Sequence, residues 1–517
     1  MLFDGYQLTS ETDLNVPRVN RSRLSRGNAY ELKLKEDFMT NVTRIKPIHT
    51  AIAQPGAGKT EALLTQIPFL VAEGKRIVLA LPTIVLSDAI TKRASAMGIT
   101  PRTIDHRSGE LVAPELTAAL RLKQDSFLIC TQEAIRRVHP SLFRGWMLIV
   151  DELPKVVDYP DYSLKPIELE RVLDYTEERS GQLWIKDGLD EAVRDQITTN
   201  RADASGTDCS TLGSSAAHIF RLLLCGVDVF IDQPQENGKR HIRAVEEHLD
   251  WWKIFATSDE VHVLAANVAG SEFEKLAHAH GFTFCDSMFT PEQSRYTSTV
   301  TIYPLMPKGQ TFSRARMLTR HGNERLIDLV LRTTLEQTQT RPLLFASKWA
   351  GLERTRNVQY VPKDCRGLNS YDTATEAILL FGGNPSPADA LGLEFLREQY
   401  GEDFRAAFVT TRLLEPSLQA VTRTAIRCKG NTEHIRLFVQ DERVAQYLVQ
   451  TYLPDAEIDW SLSKLMPVKP DGRRAEHPQR EMVNRLLEDG VAIKSIARLS
   501  NVTAKTIRRW RDGVDAA

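Results

Sequence analysis

The octapeptide AQPGAGKT, Ala53–Thr60, follows the largely apolar run PIHTAI and constrains the fold more than any other stretch of the chain. Its glycines and small residues let backbone N–H groups converge on phosphate oxygens, and a helix starting at the lysine offers its N-terminus to the same charge. A loop of this kind works between a strand and a helix, so it predicts an α/β lobe built on a parallel sheet. The phosphate cradle falls on Gln54, Pro55, Gly56, Ala57, Gly58, Lys59, Thr60 and Glu61, with Lys59 reaching the β- and γ-phosphates of ATP and Thr60 binding Mg²⁺. Ala53 stands where the first glycine of such loops usually lies. An acidic partner must end a neighbouring strand. WMLIV, Trp146–Val150, runs straight into Asp151–Glu152, with two candidate strands between it and Lys59. Asp151 is the expected second metal ligand, and Glu152 is expected to orient and deprotonate the attacking water.

The remaining apolar runs extend this pattern. Ile77–Leu81, Phe127–Cys130, Met147–Val150 and Val261–Ala265 form one series, and Leu343–Ala346, Val358–Val361, Ala377–Phe381 and Ile435–Val439 a second. Such runs, separated by helix-length segments, read as buried parallel strands with crossover helices. They predict two tandem α/β lobes, at 46–300 and 301–455, with an insertion in the first at about 153–260. Gly309–Arg325, rich in Arg, Thr and Gly, reads as a lobe boundary, and 456–475 as a linker to a small all-α domain at 476–517. Residues 1–45 read as an arm, basic over Arg18–Lys35. Within the insertion, Trp251 and Trp252 read as buried core rather than as base-stacking platforms. Six cysteines never closer than 16 residues exclude CxxC knuckles and suggest reduced thiols in a cytoplasmic protein.

Matching motifs follow one another in order from Ala53 to Arg427, and together they resemble a superfamily 2 helicase of the DExH type, which implies that the two lobes are RecA-like. LALPTIVLSD (Leu79–Asp88) and ICTQEAI (Ile129–Ile135) resemble its backbone-gripping motifs, which implies nucleic-acid contacts at Pro82, Thr83 and Thr131. DELP (Asp151–Pro154) departs from DExH at Pro154, and VHVLAAN (Val261–Asn267) holds the place of the SAT motif without its serine and threonine. LLFAS (Leu343–Ser347) is similar to motif IV. Motif V is resembled by Cys365–Pro385, which implies further contacts at Arg366 and Asn369. QAVTRTAIR (Gln419–Arg427) resembles motif VI, implying catalytic roles for Gln419, Arg423 and Arg427. On one helix, Arg423 and Arg427 would share a face.

The formal net charge of −1 conceals a basic tail: residues 473–511 carry ten Lys or Arg against four Asp or Glu. IKSIARLSNVTAKTIRRW (Ile493–Trp510) fits a helix-turn-helix, with Asn501 in the turn and Ile496, Leu499, Ile507 and Trp510 in a core completed by Met482, Leu486 and Leu487. Thr503, Ala504, Lys505, Arg508 and Arg509 would then face a major groove, in a module resembling resolvase- and transposase-type DNA-binding domains. The expectation is an ATP- and Mg²⁺-dependent DNA helicase or translocase of phage or mobile-element type, taking single-stranded DNA in its cleft and duplex at its tail. Two other readings are a DNA-packaging terminase ATPase and a nucleotide-switched DNA-binding regulator.

Overall fold

The computed structural model describes residues 46–511 except 109–110, 165, 203–212, 236–238, 293–294, 364, 366–370, 429, 468–478, 489 and 501. The Arg18–Lys35 stretch lies outside the described residues, and so do Arg366, Asn369 and Asn501. Two compact units emerge, one ending at Met466 and one containing the C-terminal residues from Pro467. Among the described residues, no helix is long and apolar enough to cross a membrane.

The first unit holds two lobes. In the first lobe, seven strands form one parallel sheet: β1 (Pro47–Ile52), β2 (Ile77–Leu81), β3 (Arg102–Ile104), β4 (Phe127–Thr131), β5 (Met147–Asp151), β6 (Glu260–Ala265) and β7 (Thr283–Asp286). Their order is β7-β1-β6-β5-β2-β4-β3. Every residue of β2 and β5 is buried. Helices cover both faces of the sheet, so these central strands read as continuous apolar runs rather than alternating ones. After β1 the chain passes over the positions of β6 and β5 to reach β2, which leaves a crevice at the carboxyl ends of the strands. Three strands, not two, separate the loop at Lys59 from β5; the short edge strand β3 carries too little apolar sequence to announce itself.

Between β5 and β6, a five-stranded antiparallel sheet is built from Asp161–Leu164, Arg240–Ala244, Val229–Ile231, Gln182–Ile185 and Thr176–Arg179. It has an apolar core of its own, with Val172, Ile219 and Phe220 fully buried. The chain then returns through helix Asp250–Thr257, whose Trp251 and Trp252 are buried in the core of the first lobe, as expected of them.

The second lobe is a six-stranded parallel sheet: β8 (Val300–Pro304), β9 (Leu343–Ala346), β10 (Gln359–Val361), β11 (Glu376–Leu380), β12 (Ile435–Val439) and β13 (Glu457–Ile458), in the order β10-β9-β11-β12-β8-β13. Because β8 already belongs to it, Gly309–Arg325 lies inside this lobe and is not a boundary. Here the Arg- and Gly-rich composition reflects a short helix and a two-stranded hairpin, Arg314–Met317 and Arg320–Arg325. The expected linker from 456 is also displaced. Glu457–Ile458 pairs with β8, and Leu462 and Met466 bury their side chains in this lobe. One ion pair lies deep in the sheet: Arg436 sits 2.8 Å from Glu376, which also accepts from the backbone N–H groups of Gln339 and Thr340.

Helix Pro387–Tyr400 and the segment after it leave the second sheet and bury Leu393, Leu396, Phe404 and Phe408 in the core cluster of the first lobe. The contact is close. A Cβ on Gly392 would lie 2.6 Å from the Tyr159 ring and 2.9 Å from Val245.

The C-terminal unit contains three helices, Arg480–Glu488, Ile493–Ser500 and Ala504–Arg511, around buried Val483, Ile496, Val502 and Ile507. Leu499 and Met482, expected in this core, are exposed. The helical phase that buries Ile496 also buries Ser500, whose hydroxyl donates to the Ile496 carbonyl, and it turns Leu499 outward. Val483 fills the place expected for Met482.

Candidate active site

The loop after β1 folds as its sequence requires. Gly56 and Gly58 have φ of +84° and +94°, a region that side chains with a Cβ rarely enter. Ala53 has no such conformation, and it is buried with its N–H donating to the Ala265 carbonyl. A glycine is therefore not needed where the usual pattern has one. Ala57 N–H closes a turn on the Gln54 carbonyl, and helix Lys59–Ala72 begins at Lys59 with Gly58 as its N-cap. The Lys59 ammonium is held by the carbonyls of Ala53 and Gln54. Glu61 turns outward and pairs with Arg93.

At the end of β5, Asp151 is buried, and Glu152 takes φ +67°, a left-handed turn that costs on the order of 1 kcal/mol for a non-glycine residue. The turn is held from both sides. The Glu152 N–H donates to Leu264 O at 2.7 Å, and the Gln132 amide donates to the carbonyls of Asp151 and Glu152 at 2.9 and 3.2 Å. Burial, and secondarily the Glu152 carboxylate, pushes Asp151 up to about 7. Burial lowers the pKa of Lys59 against the opposing pull of Asp151, Glu152 and Glu415.

The second lobe supplies the other wall. Helix Glu415–Val421 ends at Val421, so Arg423 lies in the following turn and Arg427 in the 3₁₀ turn Ala425–Arg427. The two arginines do not share a helical face. Thr422 and Thr424 turn their hydroxyls back to the carbonyls of Leu418 and Val421 and stop the helix. Arg427 nonetheless reaches the phosphate loop, its Cβ 3.0 Å from where a Cβ on Gly56 would stand. Burial, and then the neighbouring Arg423, lowers the Arg427 pKa. Tyr296, on the segment joining the two sheets, donates its hydroxyl to Pro55 O at 2.7 Å.

Comparison with known proteins adds to this geometry. No protein-family model and no curated protein sequence matches the chain. A solved structure described as S. tokodaii Xpd4 aligns over 83% of this chain and 100% of its own, with a TM-score of 0.50 and 13% identity. The fold resembles that of Xpd4. A structure titled XPD helicase aligns over 85% of this chain and 100% of its own, with a TM-score of 0.49 and 12% identity. At such identity the likeness to Xpd4 concerns the fold, two RecA-like lobes in tandem, and the chemistry rests on the residues themselves.

Gln419 lines a cavity of about 310 Å³ between the lobes, together with Glu152, Lys363, Arg412 and Glu415. Thr83 and Thr131 are both helix N-caps, accepting from the N–H groups of Leu86 and Ala134. In the C-terminal unit, Thr503 and Arg508 are exposed, and the side chains of Lys505 and Arg509 lie outside what is described.

Sequence reasoning missed Glu415. It sits at the start of the helix that carries Gln419, and burial pushes it up to about 7 although the Tyr447 hydroxyl donates to it. The Asn267 amide, just past β6 in the first lobe, donates to the Tyr447 hydroxyl at 3.0 Å. A second latch joins the lobes nearby. Thr411 accepts from the Glu272 N–H at 3.0 Å, and Arg412 lies 3.5 Å from the buried Glu272 carboxylate. A glutamate four residues before Gln419 was the available signal, but a solvated helix N-terminus explains such a residue equally well.

Proposed function

We propose that this protein is an ATP-driven motor that moves along nucleic acid. The observation that carries the reading is the division of the nucleotide site: Lys59, Thr60, Asp151 and Glu152 lie on one lobe, and Arg427 comes from the other to touch Gly56. Hydrolysis spreads negative charge over the γ-phosphate oxygens, and guanidinium groups from the second lobe would stabilise it. Glu152, turned out of its strand, would orient the attacking water and take its proton.

The Thr60 hydroxyl and the buried Asp151 carboxylate are hard oxygen donors that suit Mg²⁺. When bound there, the ion supplies charge neutralisation between the phosphates. Because the two walls belong to different lobes, nucleotide occupancy would favour a closed arrangement and release would relax it. Asn267, Tyr447 and Glu415 connect the strand end beside Glu152 to the arginine-bearing segment, and would report the state of the site to the second lobe.

The nucleic-acid path would run over Pro82, Thr83 and Thr131 on the first lobe and over Arg366 and Asn369 on the second. DNA is favoured over RNA because the basic C-terminal helices would read duplex, with Thr503, Lys505, Arg508 and Arg509 towards the groove. The domain scheme follows the same reading: an N-terminal arm, two motor lobes and a C-terminal address module that loads the motor at a chosen site.

Steady-state ATPase with and without single-stranded DNA tests the motor. The wild type should be stimulated and Glu152→Gln should lose turnover while still binding nucleotide. Equal, unstimulated turnover in both proteins would refute the reading. Strand displacement on 3′- and 5′-tailed duplexes then separates unwinding from translocation.

A further inference from the structure

We propose that the first lobe carries a transition-metal site, suited to Zn²⁺, formed by His49, Glu260 and His262. It lies apart from the nucleotide site, towards the opposite end of the sheet. His49 and His262 are direct partners across β1 and β6, and Glu260 stands two residues before His262, on the same face of its strand. One ligand atom from each residue lies within 4.8 Å of the other two. The imidazole rings of His49 and His262 stack with centroids 4.8 Å apart. A tetrahedral zinc site with bonds of about 2.0–2.3 Å needs donors roughly 3.3–3.7 Å apart, so modest side-chain rotations suffice to close the three on one ion.

The surroundings suit a ligand set better than a surface cluster. His262 is 1% exposed, and its Nδ1 lies 2.8 Å from the Ser287 hydroxyl, while its Nε2 lies 2.8 Å from Glu260 Oε1. Ser287 Oγ also accepts from the Phe289 N–H, so it is itself held in place. A hydroxyl can donate or accept, so His262 can move its proton to Nδ1 and leave Nε2 bare. A metal taking the place of the proton between Nε2 and Glu260 keeps the hydrogen bond on the other ring nitrogen, with Ser287 orienting the imidazole from behind. The Glu260 carboxylate is already drawn towards positive charge, its Oε2 lying 3.5 Å from the Lys75 ammonium. Two imidazoles and a carboxylate favour Zn²⁺ over the hard Mg²⁺ of the nucleotide site, and the Cys285 thiol, 3.2 Å from His49 Nδ1 on the next strand, adds a soft neighbour. Bound metal would bridge β1 and β6 at the end of the sheet away from the phosphate loop.

The test uses the full-length protein, stripped with a chelator and titrated with Co²⁺ as a spectroscopic probe and with Zn²⁺ by calorimetry. One saturable site per chain is expected, with the intense visible bands of low-coordinate cobalt, displaced by Zn²⁺ and not by excess Mg²⁺. Glu260→Gln and His49→Gln alter partly exposed positions, and circular dichroism would verify their folding. Each should weaken the site at least tenfold. Should either variant fail to fold, the other decides between a site and no site. Absence of a saturable site in the wild type, or unchanged affinity and bands in a folded variant, would overturn the proposal.

Discussion

Replacing Glu415 by glutamine should stabilise this protein at alkaline pH while impairing its ATPase. The side chain is half-buried between the lobes, where burial pushes its carboxyl up to about 7, against 4.5 for a free glutamate. At about 1.4 kcal/mol per pH unit, the displacement corresponds to about 3 kcal/mol. The sign follows from proton uptake. Between pH 4.5 and 7 the folded chain holds a proton that the unfolded chain has released, so stability falls as pH rises through this window. Above pH 7 the full penalty of a buried carboxylate stands. Glutamine keeps the shape and can still accept from the Tyr447 hydroxyl, but it carries no charge. Thermal unfolding followed by circular dichroism should therefore show Glu415→Gln melting a few degrees above wild type at pH 8, at about 1 °C per kcal/mol for a unit of this length. The difference should shrink towards nothing near pH 4.5. An equal or lower midpoint for the variant at pH 8 would refute the reasoning, because it would mean that Lys59 turns the carboxylate into a stabilising partner. The accompanying loss of ATPase follows from removing the charge that Glu415 presents to Lys59, an exchange of stability for function.

Further outcomes test the other contacts. Gly392→Ala should lower the melting midpoint: alanine gains about 1 kcal/mol of helix propensity, but a Cβ 2.6 Å from the Tyr159 ring overpacks the contact by about 1–3 kcal/mol. Glu376→Ala should cost about 3–5 kcal/mol, because it leaves the buried Arg436 guanidinium without its counter-ion and two backbone N–H groups without their acceptor; chemical denaturation would show it. Arg427→Ala should reduce kcat for ATP about 10³-fold with nucleotide affinity little changed, as expected of a group that acts on the transition state. Removing residues 467–517 should abolish salt-sensitive duplex binding and leave basal ATPase intact, as read by mobility shift and phosphate release.

The site was legible where its chemistry is local. A phosphate loop needs particular residues in consecutive positions, so Gly56, Gly58, Lys59 and Thr60 announce themselves, and the Asp151–Glu152 pair ends an unmistakable apolar strand. The central strands β2, β5, β9 and β12 were legible for the same reason: burial on both faces leaves a continuous apolar run. Edge strands β3, β7 and β13 were not, because they bury only a few side chains. The helical phasing of Arg423 and Arg427 was misread because spacing alone does not reveal that two threonines turn the chain out of its helix. In the C-terminal unit the same blindness exchanged Met482 for Val483.

The order of motifs along the chain determined that an α/β lobe opening on a glycine-rich loop is followed by a second lobe rich in arginine. Those requirements are met by residue type and local backbone conformation, which a sequence displays directly. Only the tertiary structure decided that Arg427 meets Gly56, that the charge of Glu415 acts on Lys59 alongside that of Glu152, and that Gly392 is a contact surface rather than a weak point in a helix. It also brought His49 beside Glu260 and His262, more than two hundred residues away in sequence. Strand order and the approach of two lobes determine such neighbours, and no local pattern records either.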